Sequence, residues 1–395
     1  GGSVNQVYVT GLTPGDEVEL LDADDDEVAS GVADVAGALL FREIQAGSGY
    51  QVRSDGTTVG GLAVTDPDDH PDPAWYDTEA AAHPIAAGYG YLTTRDGTKL
   101  SVNVNFPVAA GTGPWPVVVN YSGYSPSQPG NPPAESLLYL AQGYVVVGVN
   151  MRGTGCSGGA FEFMEDLQAT DGYDLVELLA RQSWSNGDVG LTGISYSGYS
   201  QLYVAATQPP HLDAITPLSP YSDTYSAILY PGGILNDGFA VEWSTDRQEG
   251  AKPRARGWVR KRINEGDTTC ARNQELRLQS KPLLDRIMST PFAEHEFDYL
   301  NTETFVDRIQ VPTYLASQFQ DEQTGGSAAN LLALFDPGTL VFGSFTNGTH
   351  VEPMAPSELV QVMAFMDIYV GKKVPAMSPF VTSVAPGVLA SDIFR

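Results

Sequence analysis

Between residues 1 and 64 the apolar positions come in short bursts. VNQVYVT, DEVELLDA, GALLFREI and YQVRSDG alternate or cluster them, and Gly, Pro and Asp stand between the bursts. A period near two with turn residues between is the mark of half-buried strands. The pattern predicts a small all-β sandwich of immunoglobulin or fibronectin type. The acidic stretch Asp22-Ala23-Asp24-Asp25-Asp26-Glu27 lacks the glycine and the distant glutamate of an EF-hand loop and reads as a solvated hairpin tip.

Residues 65–84, TDPDDHPDPAWYDTEAAAHP, are rich in proline and acid and read as a linker. From residue 85 the rhythm changes. GYGYLTT and TKLSVNVNFP suggest an opening antiparallel pair, and WPVVVNY, YVVVGVN and DVGLTG are nearly continuous apolar runs. Such runs suit parallel strands buried on both faces. Helical periods lie between them: ESLLYLAQG, ending in Gly143, and DGYDLVELLARQ, with Asp171 placed to cap it. Further strands are expected at 311–317 and 339–345, and a last helix in SELVQVMAFMDIYV. Alternating strands and helices predict an α/β fold with a mostly parallel sheet. Residues 219–308 carry helical and loop patterns without clear strands, as expected of a cap inserted over the carboxyl edge of the sheet.

Composition narrows the function. Lys and Arg number 21 against 48 Asp and Glu, a net charge of −27. Nucleic acid and anionic membranes both need a basic face, so neither is expected as a partner. No apolar run is long enough to span a membrane. The chain opens GGSVNQ without a signal-peptide pattern, which reads as a mature terminus or a cloning scar, and the acidic surface suits a secreted or cell-surface protein, with a cytoplasmic one as the alternative. Cys156 and Cys270 are the two cysteines. They cannot build a metal motif, and two readings stay open: a disulfide in an exported protein, or two buried thiols.

The chemistry turns on two serines. GCSGG at 155–159 matches G-x-S-x-G, whereas GISYSG at 193–198 has Ser197 in the last glycine position. A nucleophile elbow needs a strand, a sharp turn and a helix in immediate succession, with small residues around the turn. Ser195 has this context: DVGLTG precedes it and a helical pattern follows. Ser157 does not, since RGTG separates it from its strand and GAFEF is no helix start.

A serine needs a base. Of the five histidines, His70 and His83 fall in the linker, His211 precedes a strand and His295 lies in the insertion. His350 follows the 339–345 strand, at the carboxyl edge where Ser195 sits. The acid that orients it must follow a strand too. Asp321 does, with Glu322 as the fallback, whereas Asp307 and Asp336 precede theirs. The order Ser195, Asp321, His350 is that of α/β-hydrolases.

NMRGTGCSGGAF together with GISYSGYSQL resembles the cocaine esterase, X-prolyl dipeptidyl peptidase and α-amino-acid ester hydrolase group of α/β-hydrolases, over residues 85–372. The resemblance implies an α/β-hydrolase domain with a helical cap at 85–373 and a Ser195–His350–Asp321 triad. It also implies an oxyanion site made by the Tyr124 hydroxyl, with Tyr121 the weaker candidate, and the Tyr196 N–H. The group often carries a jelly-roll domain after the hydrolase domain. Residues 374–395 are too few for one and read as an extension or the start of a missing domain.

The expected reaction is ester hydrolysis on a small-molecule or polymeric substrate, without cofactor or metal. A peptidase alternative would use Asp223, Asp237 or Glu242 to hold a free amine. An alternative of another class is a surface or carbohydrate-binding protein whose hydrolase fold is inert. The oligomeric state is not legible in the sequence.

Overall fold

The computed structural model describes residues 1–107, 111–130, 132, 134–292 and 295–376. Seven short strands come first: β1 (Gly2–Ser3), β2 (Gln6–Val9), β3 (Glu17–Leu21), β4 (Glu27–Val32), β5 (Leu39–Arg42), β6 (Gly47–Ser54) and β7 (Thr57–Val64). They pair antiparallel in two sheets, β1-β2-β5 and β4-β3-β6-β7. Both sheets contribute to one core, with Val7 and Phe41 from the first and Val18, Leu20, Val52 and Val64 from the second. At the acidic hairpin tip the Asp22 carboxylate accepts the main-chain N–H groups of Asp24 and Asp26.

The segment expected to be a linker contains a helix, α1 (Pro73–Ala82), and this corrects the sequence reading. Asp72 caps it by accepting the Ala74 N–H at 2.9 Å, and Pro73 occupies the first turn, where a missing N–H costs nothing. Tyr76 is buried and donates to Asp174 at 2.6 Å, which docks α1 onto the large domain.

The large sheet has eight strands: β8 (Gly88–Thr93), β9 (Lys99–Asn105), β10 (Trp115–Ser122), β11 (Val145–Asn150), β12 (Ser185–Ile194), β13 (Leu212–Leu218), β14 (Thr313–Gln318) and β15 (Val341–Thr346). Their spatial order is β15-β14-β13-β12-β10-β11-β9-β8. β8 and β9 run antiparallel, and the strands from β11 through β15 pair parallel.

The valine runs work because successive side chains point to opposite faces. Val117 and Val119 enter the core shared with α3 (Asp166–Ala180) and α4 (Tyr196–Ala206). Val118 and Val146 enter the core on the other face, built with α2 (Ala134–Ala141) and α9 (Pro356–Tyr369). Both faces are covered, so polar alternation is absent from these strands.

α3 starts at Asp166, so Asp171 lies inside the helix and does not cap it. Its carboxylate instead receives Arg152 at 2.6 Å in a buried ion pair. Between β13 and β14 stand α5 (Phe239–Ala251), α6 (Gly257–Asn264), α7 (Thr268–Arg272) and α8 (Leu283–Ser289), with a π-helical turn at Thr224–Leu229 and short 3-10 turns among them, where the sequence leads one to expect a cap. The β-sandwich docks against both the sheet domain and the cap. Gln6 donates to Glu165 at 2.9 Å, Arg42 to the Gln279 carbonyl at 2.6 Å, and Gln279 to Asp34 at 2.6 Å.

Candidate active site

Ser195 stands between β12 and α4 with φ 64° and ψ −122°. A non-glycine residue in this region carries about 1–3 kcal/mol of strain and persists only when its surroundings enforce it. Here the Ser195 amide donates to the Leu218 carbonyl at 2.9 Å, and the Ser195 carbonyl receives the amides of Gly198 and Tyr199 at 2.9 and 2.8 Å. Two glycines are obligatory. A Cβ on Gly193, at φ +139°, would lie 2.4 Å from the Ser197 Cβ, and one on Gly198 would lie 2.4 Å from the Leu218 carbonyl oxygen. Ser197 fits where the motif has glycine because its hydroxyl finds a partner, Asn120 Oδ1 at 2.9 Å.

The next three strands of the sheet, β13, β14 and β15, carry the neighbouring polar groups. Asp321 follows β14, His350 follows β15, and Ser219 follows β13 between them and Ser195. His350 Nδ1 and Asp321 Oδ2 are 2.7 Å apart, with both side chains buried. Asp321 Oδ1 accepts the N–H groups of Gln323 and Thr324 at 2.8 Å each, and Oδ2 also accepts the Thr324 hydroxyl at 2.7 Å. Burial alone would push this carboxyl up, but the His350 contact and the Thr324 donors outweigh it, and its pKa falls below the ordinary 3.8. An ionised carboxylate only accepts, so Nδ1 is the donor of this contact, and in the neutral tautomer Nε2 carries the lone pair. Nε2 is buried without a hydrogen-bond partner among the described residues. The fallback Glu322 is engaged elsewhere, accepting the His350 main-chain N–H at 3.0 Å.

The Ser195 hydroxyl is 3.2 Å from Tyr124 Oη. Tyr124 Oη also accepts the Trp243 indole N–H at 3.1 Å, and the Arg247 guanidinium lies over the Tyr124 ring, 4.7 Å from its centroid. Tyr196 opens α4, where a helix's first N–H groups have no intrahelical acceptor. Its side chain is buried edge-on to Tyr124, at 5.5 Å between centroids. Tyr121 is elsewhere, donating from a buried position to the Gln168 carbonyl at 2.9 Å. Beside Ser195 lies an apolar pocket walled by Phe163, Tyr221, Leu229, Trp243 and Ile287. Its free volume is ≈ 20 Å³, room for about one water molecule, so an acyl group enters only if these side chains shift.

The other serine has no such setting. Ser157 is fully buried, donates to the Asn150 carbonyl at 2.6 Å and accepts the Ser101 amide at 2.9 Å. Its loop is held by the cap. Arg277, fully buried, reaches the carbonyls of Gly153, Gly155 and Ser157, and burial pulls its pKa down to about 9. Cys156 and Cys270 form a disulfide between this loop and α7. Among the described residues no cluster of His, Cys, Asp or Glu could hold a metal ion, and no helix is long and apolar enough to cross a membrane.

Sequence reading missed Trp243, Arg247, Ser219 and Arg277. The one local signal was the pair Trp243 and Arg247, four apart and therefore on one face of a helix. Nothing in the sequence says that this face meets Tyr124.

Residues 96–352 match the X-Pro dipeptidyl-peptidase (S15) family. The chain belongs to that family. The cocaine esterase of Rhodococcus sp. is 34% identical over 152 residues, which are 38% of this chain and 26% of that protein. A relative in Mycobacterium bovis is 30% identical over 198 residues, 44% of this chain and 31% of its own length. The matched part thus spans about a third or less of these relatives. Among solved structures, a CocE/NonD family hydrolase from Staphylococcus aureus superposes with a TM-score of 0.60 at 21% identity, covering 73% of this chain and 54% of that one. An α-amino-acid ester hydrolase gives 0.57 at 18% identity, covering 75% and 57%. These likenesses establish the α/β-hydrolase fold of the S15 domain.

Proposed function

We propose that the protein is a serine hydrolase that cleaves carboxylic esters through an acyl-enzyme. Ser195 Oγ attacks the ester carbonyl carbon while His350 Nε2 takes its proton. Asp321 holds the Nδ1–H and stabilises the imidazolium. The carbonyl oxygen becomes an oxyanion between the Tyr196 N–H and the Tyr124 hydroxyl, and one preorganised donor of this kind is worth about a hundredfold or more in rate. The leaving alkoxide takes the proton from His350. A water molecule, deprotonated by the same nitrogen, then attacks the acyl carbon, releases the acid and restores Ser195.

The observation that carries this reading is the buried His350–Asp321 contact of 2.7 Å, with Nε2 unpartnered among the described residues, in a loop that leaves the same carboxyl edge of the sheet as the strained Ser195. His350 and Ser195 are not yet hydrogen-bonded, and such contacts commonly tighten only with substrate. The named activity of the cocaine esterase relative favours an ester substrate, and the apolar pocket favours a compact apolar acyl group. The disulfide and the net charge of −27 favour an oxidising compartment, outside the cell or on its surface.

Labelling with a fluorophosphonate, followed by peptide mapping, tests the mechanism. The label is expected on Ser195, and p-nitrophenyl ester hydrolysis is expected to vanish in Ser195→Ala. Turnover retained by that variant would sink the assignment.

The family's description favours a second reading, release of X-Pro dipeptides. That reaction needs an acid near the pocket to hold a free ammonium group. Asp223 instead accepts the N–H groups of Tyr225 and Ser226, Asp237 and Glu242 are exposed, and none of the three lines the pocket. Release of p-nitroaniline from Ala-Pro-p-nitroanilide faster than ester cleavage would reverse the preference.

A further inference from the structure

Tyr124 has to give a hydrogen bond to the developing oxyanion, yet a phenol hydroxyl can give or accept. Its proton must therefore be aimed before the reaction starts. Among the described residues its oxygen has two partners, Ser195 Oγ at 3.2 Å and the Trp243 Nε1–H at 3.1 Å. An indole N–H only donates. The Trp243 contact can run in one direction alone, from the indole into the phenol oxygen. The phenol's own proton is thereby turned away from Trp243 and toward its other partner.

The delivery is rigid. Trp243 sits on α5, wedged edge-on against Phe163 and Tyr196 at 5.3 and 5.6 Å between centroids. One helical turn later, Arg247 lies over the face of the same Tyr124 ring and donates to the Gly123 carbonyl at 3.3 Å. Gly123 in turn has no room for a side chain, since a Cβ there would lie 2.4 Å from the Tyr196 ring. One face of a single cap helix thus grips the loop that carries Tyr124.

We propose that Trp243 is a positioning residue for ester hydrolysis: its indole N–H, given to Tyr124 Oη, aims the tyrosine proton at the place where the oxyanion forms. This rests on the reading of Ser195 as nucleophile and Tyr124 as oxyanion donor. The contact strengthens in the transition state, because a phenol that receives a hydrogen bond while giving one is polarised further. The effect should therefore fall on kcat rather than KM.

The experiment is a double-mutant cycle on p-nitrophenyl butyrate hydrolysis, with Trp243→Phe, Tyr124→Phe and the pair. Trp243→Phe is expected to lower kcat about fivefold to tenfold with KM changed less than twofold. In the Tyr124→Phe background it is expected to lower kcat no further. Equal losses in both backgrounds, or a rise confined to KM, would overturn the proposal and leave Trp243 as a pocket wall. Should the phenylalanine variant misfold, β-(3-benzothienyl)alanine at position 243 keeps the shape of tryptophan and replaces only the N–H. The same kcat loss is expected, and wild-type kcat in that variant would also overturn the idea. A failure of the underlying esterase reading is separable, because unmodified protein would then neither hydrolyse the ester nor take a fluorophosphonate on Ser195.

Discussion

Ser219 Oγ lies 2.7 Å from the main-chain carbonyl of His350 and 2.8 Å from Gln318 Oε1. The residue before it, Leu218, accepts the Ser195 amide at 2.9 Å. Two adjacent residues at the end of β13 thus hold both the proposed nucleophile and the proposed base, though neither touches substrate. Ser219→Ala removes the one donor that the His350 carbonyl and Gln318 Oε1 share, which costs about 1–3 kcal/mol. We expect denaturant unfolding to report that loss and kcat to fall several-fold as the histidine loop loosens. Wild-type kcat in Ser219→Ala would remove the positioning role.

The junction between the β-sandwich and the larger domain should respond to pH through Glu165. Burial and the neighbouring Glu162 charge push its carboxyl up to about 8, from an ordinary 4.5. The folded state therefore binds this proton more tightly than the unfolded state does. Its contribution is fully present below about pH 4.5 and is lost as pH rises through about 8. Glu165→Gln keeps an acceptor for Gln6 and removes the titration. Urea unfolding at several pH values should show the wild type weakening toward alkaline pH relative to Glu165→Gln. Parallel profiles would refute this account.

Ser157 should behave as a structural serine. Its hydroxyl satisfies the Asn150 carbonyl and the Ser101 amide inside the protein. Ser157→Ala is expected to lose about 1–3 kcal/mol of stability while Ser195 keeps its fluorophosphonate label. Loss of label in a folded Ser157→Ala protein would reopen the choice between the serines.

The disulfide closes a loop across a sequence separation of 114 residues. Constraining so long a loop is worth roughly 2–5 kcal/mol. The double variant Cys156→Ala/Cys270→Ala should unfold at correspondingly lower denaturant, and dithiothreitol should shift the wild type in the same direction. An unchanged midpoint in both would mean that Arg277 and its carbonyl partners suffice to hold the loop.

What could be read from the sequence follows how local each determinant is. Val117, Val118 and Val119 announce a strand covered on both sides because the run itself lacks polar alternation. Ser195 stands out because an elbow is a contiguous strand, turn and helix. Asp321 and His350 are reached by asking which loops leave the carboxyl edge, and the folded chain brings these two side chains within 2.7 Å of each other. Helix α1 was missed although Asp72-Pro73 is a sound helix start, because the surrounding prolines and acids read more strongly as a linker. Asp171 was misjudged because an acid before an apolar period suits a cap, and the buried Arg152 that claims it is far along the chain. Trp243 lies 119 residues from Tyr124, and only the folded cap brings them together. The extension expected at residues 374–395 lies largely outside the described residues.

Helix α5 has one more consequence. A cap that only roofed the pocket could be exchanged between relatives to alter substrate choice, with the chemistry below left intact. Here the roof also grips the tyrosine proposed to receive the charge. Transplanting a foreign cap would therefore carry away part of the reaction's power along with its selectivity. Substrate range and turnover in this lineage should change together, and laboratory chimeras that join at the cap boundaries should recover activity only when the tryptophan and arginine are carried over with the helix.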